Sequence, residues 1–161
     1  MRSLLRLRRS WEHPELYELL YVLCCFCLNL GVAIDTITSS QSIKDPGNIV
    51  SNGSAFKLGF FSLVNSTYRY MGIWYSNISV FTVIWVANRE TPLNDSSGVL
   101  TISEDGNLEV LDEKKKILWS SNVTNSVANS SAQLLDSGNL VLQEKTIGTI
   151  IWESFLHSCP R

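Results

Sequence analysis

The segment Asp105–Trp119, DGNLEVLDEKKKILW, returns in altered form at Asp136–Trp152, DSGNLVLQEKTIGTIIW. Both place Gly-Asn-Leu ahead of a short apolar strand, follow it with a polar or basic turn, and close on a second apolar strand that ends in Trp and a polar residue. One hairpin is used twice. Trp85 closes a similar stretch, TVIWVAN, and Trp85, Trp119 and Trp152 are separated by 34 and 33 residues, a period typical of repeated supersecondary units. Three repeats predict a three-sided all-β domain in which each sheet supplies one Trp to a shared centre. The three indoles are then core, not a platform for ligand.

Outward from the repeat, the rest of the chain reads the same way. Asp35–Gln41 is β-branched and polar, as suits an edge strand, and Asp45-Pro46-Gly47-Asn48 makes a turn. Ile49 and Val50 lead into a second turn, Ser51–Ser54. In AFKLGFF the alternation of Phe56, Leu58 and Phe60 marks a half-buried strand, with Gly59 as a bulge or close contact. RYMGIWY and FTVIWVA are further strands separated by a turn at Ser76–Ser79, and TPLNDSSG is a loop. No ten-residue segment beyond the first 33 residues carries an apolar period of 3.6, so the domain is all-β.

At 161 residues the chain holds a leader and one domain of ordinary size, which excludes a large multidomain enzyme. The basic start, the apolar run Leu19–Leu30 and the small residues Gly31, Val32 and Ala33 predict a signal peptide over residues 1–33. A retained membrane anchor is the alternative reading of the same run. Cys24, Cys25 and Cys27 fall in this leader, leaving Cys159 alone in the remainder, so no internal disulfide is expected there. The formal charge is −2, and the one basic run, Lys114–Lys116, lies in a predicted turn; no nucleic-acid surface follows.

Catalysis finds no support. His157 is the single histidine after the leader, so no Ser/His/Asp or Cys/His set can be assembled elsewhere. His157 and Cys159 are too few for a metal site, and no cofactor is expected. Glu104, Asp105, Asp112 and Glu113 read as solvated turn residues. Six Asn-x-Ser/Thr sequons, at Asn52, Asn65, Asn77, Asn94, Asn122 and Asn129, exceed the roughly two expected by chance and point to the secretory pathway.

The ordered series LGFFSLVNSTYRYMGIWY, TVIWVANRETPL, GVLTISEDGNLEVLD, ILWSSN, AQLLDSGNLVLQE and IIWESF resembles the bulb-type (mannose-binding) lectin domain of plant S-domain receptor-like kinases and S-locus glycoproteins. The resemblance runs from about Ala33 to Phe155. It implies a β-prism II fold, three four-stranded sheets with pseudo-threefold symmetry, over residues 34–155. Residues 156–161, LHSCPR, depart from the family pattern and, with no kinase motif present, read as a truncated tail. The implied location is secreted or extracellular, at the plasma-membrane exterior if part of a longer receptor. The implied partners are a glycan or a cell-surface protein ligand, and a homo- or heterodimer with S-domain receptors.

The sugar-binding pattern of the resembled lectins is Gln-x-Asp-x-Asn-x-Val-x-Tyr on one strand, where alternate residues share a face. Laid on Ser103–Leu111 it keeps Asp105 and Asn107 but meets Ser103, Glu109 and Leu111; laid on Leu135–Gln143 it keeps Asn139 and Val141 but meets Leu135, Ser137 and Gln143. Near Ser51–Gly59 only the strand remains. Each hydrogen bond to a sugar is worth on the order of 1 kcal/mol net, so losing half of them predicts little or no mannose affinity. A simpler reading of Asp105, Asn107 and Asn139 is that Asp-Gly-Asn and Ser-Gly-Asn make tight turns, in which Gly and Asn accept positive φ. A recognition module is therefore the first functional reading, and a structural or dimerisation module without ligand, or a fragment of a receptor kinase, is the second.

Overall fold

The computed structural model describes residues 34–124 and 129–157; the predicted signal peptide and Cys159 lie outside them. All regular structure among the described residues is β: β1 Thr36–Thr38, β2 Ile43–Lys44, β3 Asn48–Val50, β4 Phe56–Phe61, β5 Tyr70–Tyr75, β6 Val83–Val86, β7 Val99–Ile102, β8 Leu108–Leu111, β9 Ile117–Ser120, β10 Ser130–Leu134, β11 Leu140–Glu144 and β12 Ile150–Glu153. They form three antiparallel four-stranded sheets: sheet I in the order β3-β4-β5-β6, sheet II β2-β7-β8-β9 and sheet III β1-β10-β11-β12. Every sheet is a three-strand meander completed by one strand from residues 36–50. The expected β-prism is present.

The N-terminal segment visits all three sheets in turn, a feature the repeat did not reveal. Ile49 and Val50, read as an approach to a turn, belong to strand β3. Ile37, Ile43 and Ile49, six residues apart, each put one buried side chain into the core, so these strands of two or three residues act as clasps across the sheets.

Period-two alternation decides what faces inward. Leu58 and Ile73 in sheet I, Leu100 and Val110 in sheet II, and Ala132 and Leu142 in sheet III are fully buried and stand opposite one another across their ladders. The next partner is the Trp: Ile73 pairs with Trp85, Val110 with Trp119 and Leu142 with Trp152. The ladder slips one residue beyond each pair, at Ile73/Trp74, Val110/Leu111 and Leu142/Gln143. A bulge raises local twist, and its recurrence at one place bends β6, β9 and β12 alike. The indoles meet edge to face with centroids 5.5, 5.8 and 5.5 Å apart, the spacing aromatic quadrupoles favour. Trp85 and Trp152 are buried in the core, and Trp119, half-buried, packs against them.

A second tie holds the N-terminal clasp. Arg69, at the start of β5, donates from Nε to Asp45 Oδ2 at 2.6 Å and from Nη2 to Asp45 Oδ1, and the Asp45 carboxylate is fully buried. Arg69 and Leu93 also exchange backbone bonds at 2.8 and 3.0 Å, linking the β4–β5 connection to the loop after β6.

Candidate functional site

The ladders define which residues are equivalent. Counting back from the residue paired to each Trp, the family's sugar-binding strand falls on β8 in sheet II, β11 in sheet III and β5 in sheet I. The third copy is therefore Ser66, Tyr68, Tyr70, Gly72 and Trp74, and Ser51–Gly59, proposed above, belongs to the preceding turn and strand. The misplacement has a simple cause. The β4–β5 and β5–β6 connections of sheet I carry no Gly-Asn-Leu marker, so the sequence offers no register mark there.

In sheet II the retained residues are adjacent. Gly106, at φ +83°, closes the β7–β8 turn, donating its N–H to Ser103 O at 2.9 Å, while Ser103 N–H donates to Asn107 O at 2.8 Å. Ser103 Oγ donates to Asp105 Oδ1, and Asn107 Nδ2 donates to Asp105 Oδ2 at 3.1 Å. These two bonds, Ser103 first, hold the Asp105 carboxyl below its ordinary range. Glu109 follows on the same face; partial burial, and then the nearby Asp105 charge, push its carboxyl up.

Asn107 is not a left-handed turn residue, as the simpler reading had it; the glycine takes the positive φ and the asparagine forms a latch. Its Oδ1 accepts from Ser121 Oγ at 2.9 Å and from Val123 N–H at 2.7 Å, while Leu108 N–H donates to Ser121 Oγ at 3.1 Å. Sheet III repeats this bond for bond. Gly138 also sits at φ +83°; Asn139 Oδ1 accepts from Ser154 Oγ at 3.0 Å and Phe155 N–H at 3.2 Å, and Leu140 N–H donates to Ser154 Oγ at 2.9 Å. Asn139 Nδ2 donates to Glu153 Oε2 at 2.7 Å. The latch fastens the end of the Trp-bearing strand to the start of its neighbour.

Sheet I achieves the same closure differently. Tyr70 replaces the asparagine, and Asn88, three residues after Trp85, accepts from Met71 N–H at 2.8 Å and donates to Arg69 O and Thr91 O at 3.3 and 3.1 Å. The sequence reading missed Asn88, Ser121 and Ser154. The signal available was the serine two residues after Trp119 and after Trp152, a position Ala87 occupies in sheet I.

Burial sets what these residues can offer a ligand. Asn107 is 7 % exposed, Asn139 8 % and Val141 2 %. Val141 stands between Gln133 and Glu153 in the ladder, and those side chains are tied to Asp35 and Asn139. Asp105 and Glu104 are exposed in the turn. All six sequon asparagines are exposed and lie outside the strands. Among the described residues no three His, Cys, Asp or Glu side chains converge as metal ligands would.

Three hairpin-built sheets around a Trp triad, with the candidate strand central in each, define a bulb-type lectin domain. Residues 82–160 match the family model described as D-mannose binding lectin. A G-type lectin S-receptor-like serine/threonine-protein kinase of Arabidopsis thaliana is 50% identical over 149 residues, 91% of this chain and 18% of the relative; the kinase SD1-13 of the same plant is 52% identical over 143 residues, 86% and 17%. Among solved structures, the monomeric monocot mannose-binding lectins from Gastrodia elata superpose with a TM-score of 0.57 at 18% identity, covering 74% of this chain and 96% of theirs. The Japanese Marasmius oreades lectin gives 0.54 at 13% identity, covering 74% and 89%. The chain belongs to the bulb-type lectin family, in the form carried by G-type lectin S-receptor-like kinases. It spans less than a fifth of the length of these two kinases, and its 161 residues hold no kinase domain.

Proposed function

We propose that this lectin domain acts as an extracellular recognition module whose mannose sites have lost their binding chemistry. The observation that carries the reading is the commitment of Asn107 and Asn139. Each uses its side-chain oxygen twice and its amide once on the protein itself, so a sugar hydroxyl would have to break the latch to engage them fully. Val141 has almost no surface to place under a pyranose, and Ser103, Glu109 and Leu111 replace the rest of the pattern in sheet II. Asp105 remains exposed, with its two carboxylate oxygens already accepting from Ser103 Oγ and Asn107 Nδ2.

The kinship with receptor kinases supports a place outside the cell, and the six exposed sequons support N-glycosylation on the way there. The ligand is then a protein or a glycan read by chemistry other than the mannose pattern. The second reading, a dimerisation module, is favoured by β12, an edge strand of sheet III whose residues Ile150 and Ile151 are not fully buried. Chromatography on immobilised mannose tests the first reading. The chain should pass without retardation; tight retention that Asp105→Ala abolishes would overturn it.

A further inference from the structure

We propose that N-glycans carried on Asn65 and Asn77 lie over the aromatic outer face of sheet I and close it to other contacts. The proposal rests on the reading that the chain passes through the secretory pathway. Sheet I is the sheet whose copy of the sugar strand has turned apolar. Phe61 is the buried hub of this face, with ring centroids 5.8 Å from Tyr70, 6.0 Å from Trp74 and 5.6 Å from Phe81, and Trp74 and Phe81 lie 5.8 Å apart. Two glycines make room for these rings. A Cβ on Gly72 would meet Phe61 Cε1 at 2.8 Å, and one on Gly59 would meet Trp74 Cη2 at 3.2 Å. Beside the hub a cleft of about 220 Å³ is lined by Phe61, Leu63, Tyr70, Val83, Val86 and Arg89, with Arg89 its one charged side chain.

Part of this face is open to solvent: Phe81, against Phe61, is 53 % exposed, and Leu63, which lines the cleft, is 55 % exposed. Exposed apolar surface of this kind invites association unless something covers it. The two sequons supply an occupant tethered at both ends. Asn65 is in the β4–β5 connection and Asn77 in the β5–β6 connection, at opposite ends of a six-residue strand that rises about 20 Å. Asn65 is exposed on a turn at φ +62°, in which Ser66 N–H donates to Leu63 O at 3.1 Å. Asn77 accepts from Ser76 Oγ at 2.8 Å through Oδ1, a bond that does not use Nδ2, the atom that carries an N-glycan.

The chemistry fits. A pyranose ring has a C–H face that packs on an aromatic ring and hydroxyls that remain in water, so it covers an apolar surface without adding another. Two cations flank the rings, Arg89 at the cleft and Lys57 opposite Trp74, and glycan hydroxyls can meet both. Asn94, by contrast, is followed by Asp95 and Ser96, and a glycan there has polar neighbours.

The test uses the full chain secreted from a eukaryotic host. Glycopeptide mass spectrometry reads occupancy at each sequon, and the fluorescence of 1-anilinonaphthalene-8-sulfonate reads exposed apolar surface before and after enzymatic deglycosylation of the folded protein. Deglycosylation should raise the dye signal several-fold, Phe81→Ser should suppress most of that rise, and Asn65→Gln/Asn77→Gln should show the high signal before any enzyme is added. Asn52→Gln/Asn94→Gln should behave as the parent. If the Asn65/Asn77 variant is not secreted, the enzymatic rise and its loss in Phe81→Ser decide. An unchanged dye signal, or a rise that survives Phe81→Ser, overturns the proposal, as does an empty Asn65 and Asn77 while other sequons carry sugar. Six empty sequons on the secreted chain overturn the N-glycosylation reading on which the proposal rests.

Discussion

Replacing Asn139 by Ala removes one latch and leaves the hydrophobic core intact. Its side chain makes three hydrogen bonds, to Ser154 Oγ, Phe155 N–H and Glu153 Oε2. Ser154 is fully buried, and its oxygen still holds Leu140 N–H. A neutral hydrogen bond contributes about 0.5–1.5 kcal/mol net. Discounting the partly exposed Glu153 bond, the loss of the bonds to Ser154 and Phe155 should destabilise Asn139→Ala by about 1–3 kcal/mol. In urea that is a midpoint shift of about 0.5–1.5 M for a slope near 2 kcal/mol per molar, with the slope unchanged. Asn107→Ala should cost a similar amount, because it breaks the same bonds with Ser121 and Val123. A loss below about 0.5 kcal/mol at both positions would refute the latch and return these asparagines to the candidate sugar site.

Trp152→Ala, which empties the centre of the prism, should cost about 3–5 kcal/mol in thermal or urea unfolding; a loss under about 1 kcal/mol would contradict a shared Trp core. Arg69→Ala strands the buried Asp45 carboxylate and should cost about 3–5 kcal/mol, with Asp45→Asn/Arg69→Met recovering much of it in the same assay. Glu109 binds its proton more tightly folded than unfolded, so over the pH window just above its ordinary value of 4.5 stability should fall as pH rises. Glu109→Gln should remove that component and be at least as stable as the parent at neutral pH; an unaltered pH profile would contradict the burial and Asp105 repulsion assigned to it.

The Trp spacing made the fold legible because each indole ends a hairpin, and hairpins are local. Three similar local units with one large apolar residue each leave few ways to close a core. The completing strands of each sheet were less legible. β2 has two residues, and Ile43 gains its meaning only from pairing with Leu100 across 57 positions of sequence. The latches were hidden for a related reason: Asn107 and Ser121 are fourteen residues apart, and Gly-Asn alone also suits a turn. In sheet I both faces of β5 are apolar, as YMGIWY shows, so alternation could not tell the face on the core from the face on solvent. The register of the candidate strands was legible in sheets II and III, where the Gly-Asn-Leu marker fixes it, and not in sheet I, where that marker is absent.

The most direct test of the central claim is a nuclear magnetic resonance titration of the secreted chain with methyl α-mannoside. Backbone amides of Ser103–Leu111, Leu135–Gln143 and Ser66–Trp74 report the three equivalent strands separately. No saturable shift should appear in any of them at millimolar sugar, since a millimolar Kd already requires about 4 kcal/mol of binding free energy. Saturable shifts confined to Ser103–Leu111 and lost in Asp105→Ala would show that sheet II still binds mannose.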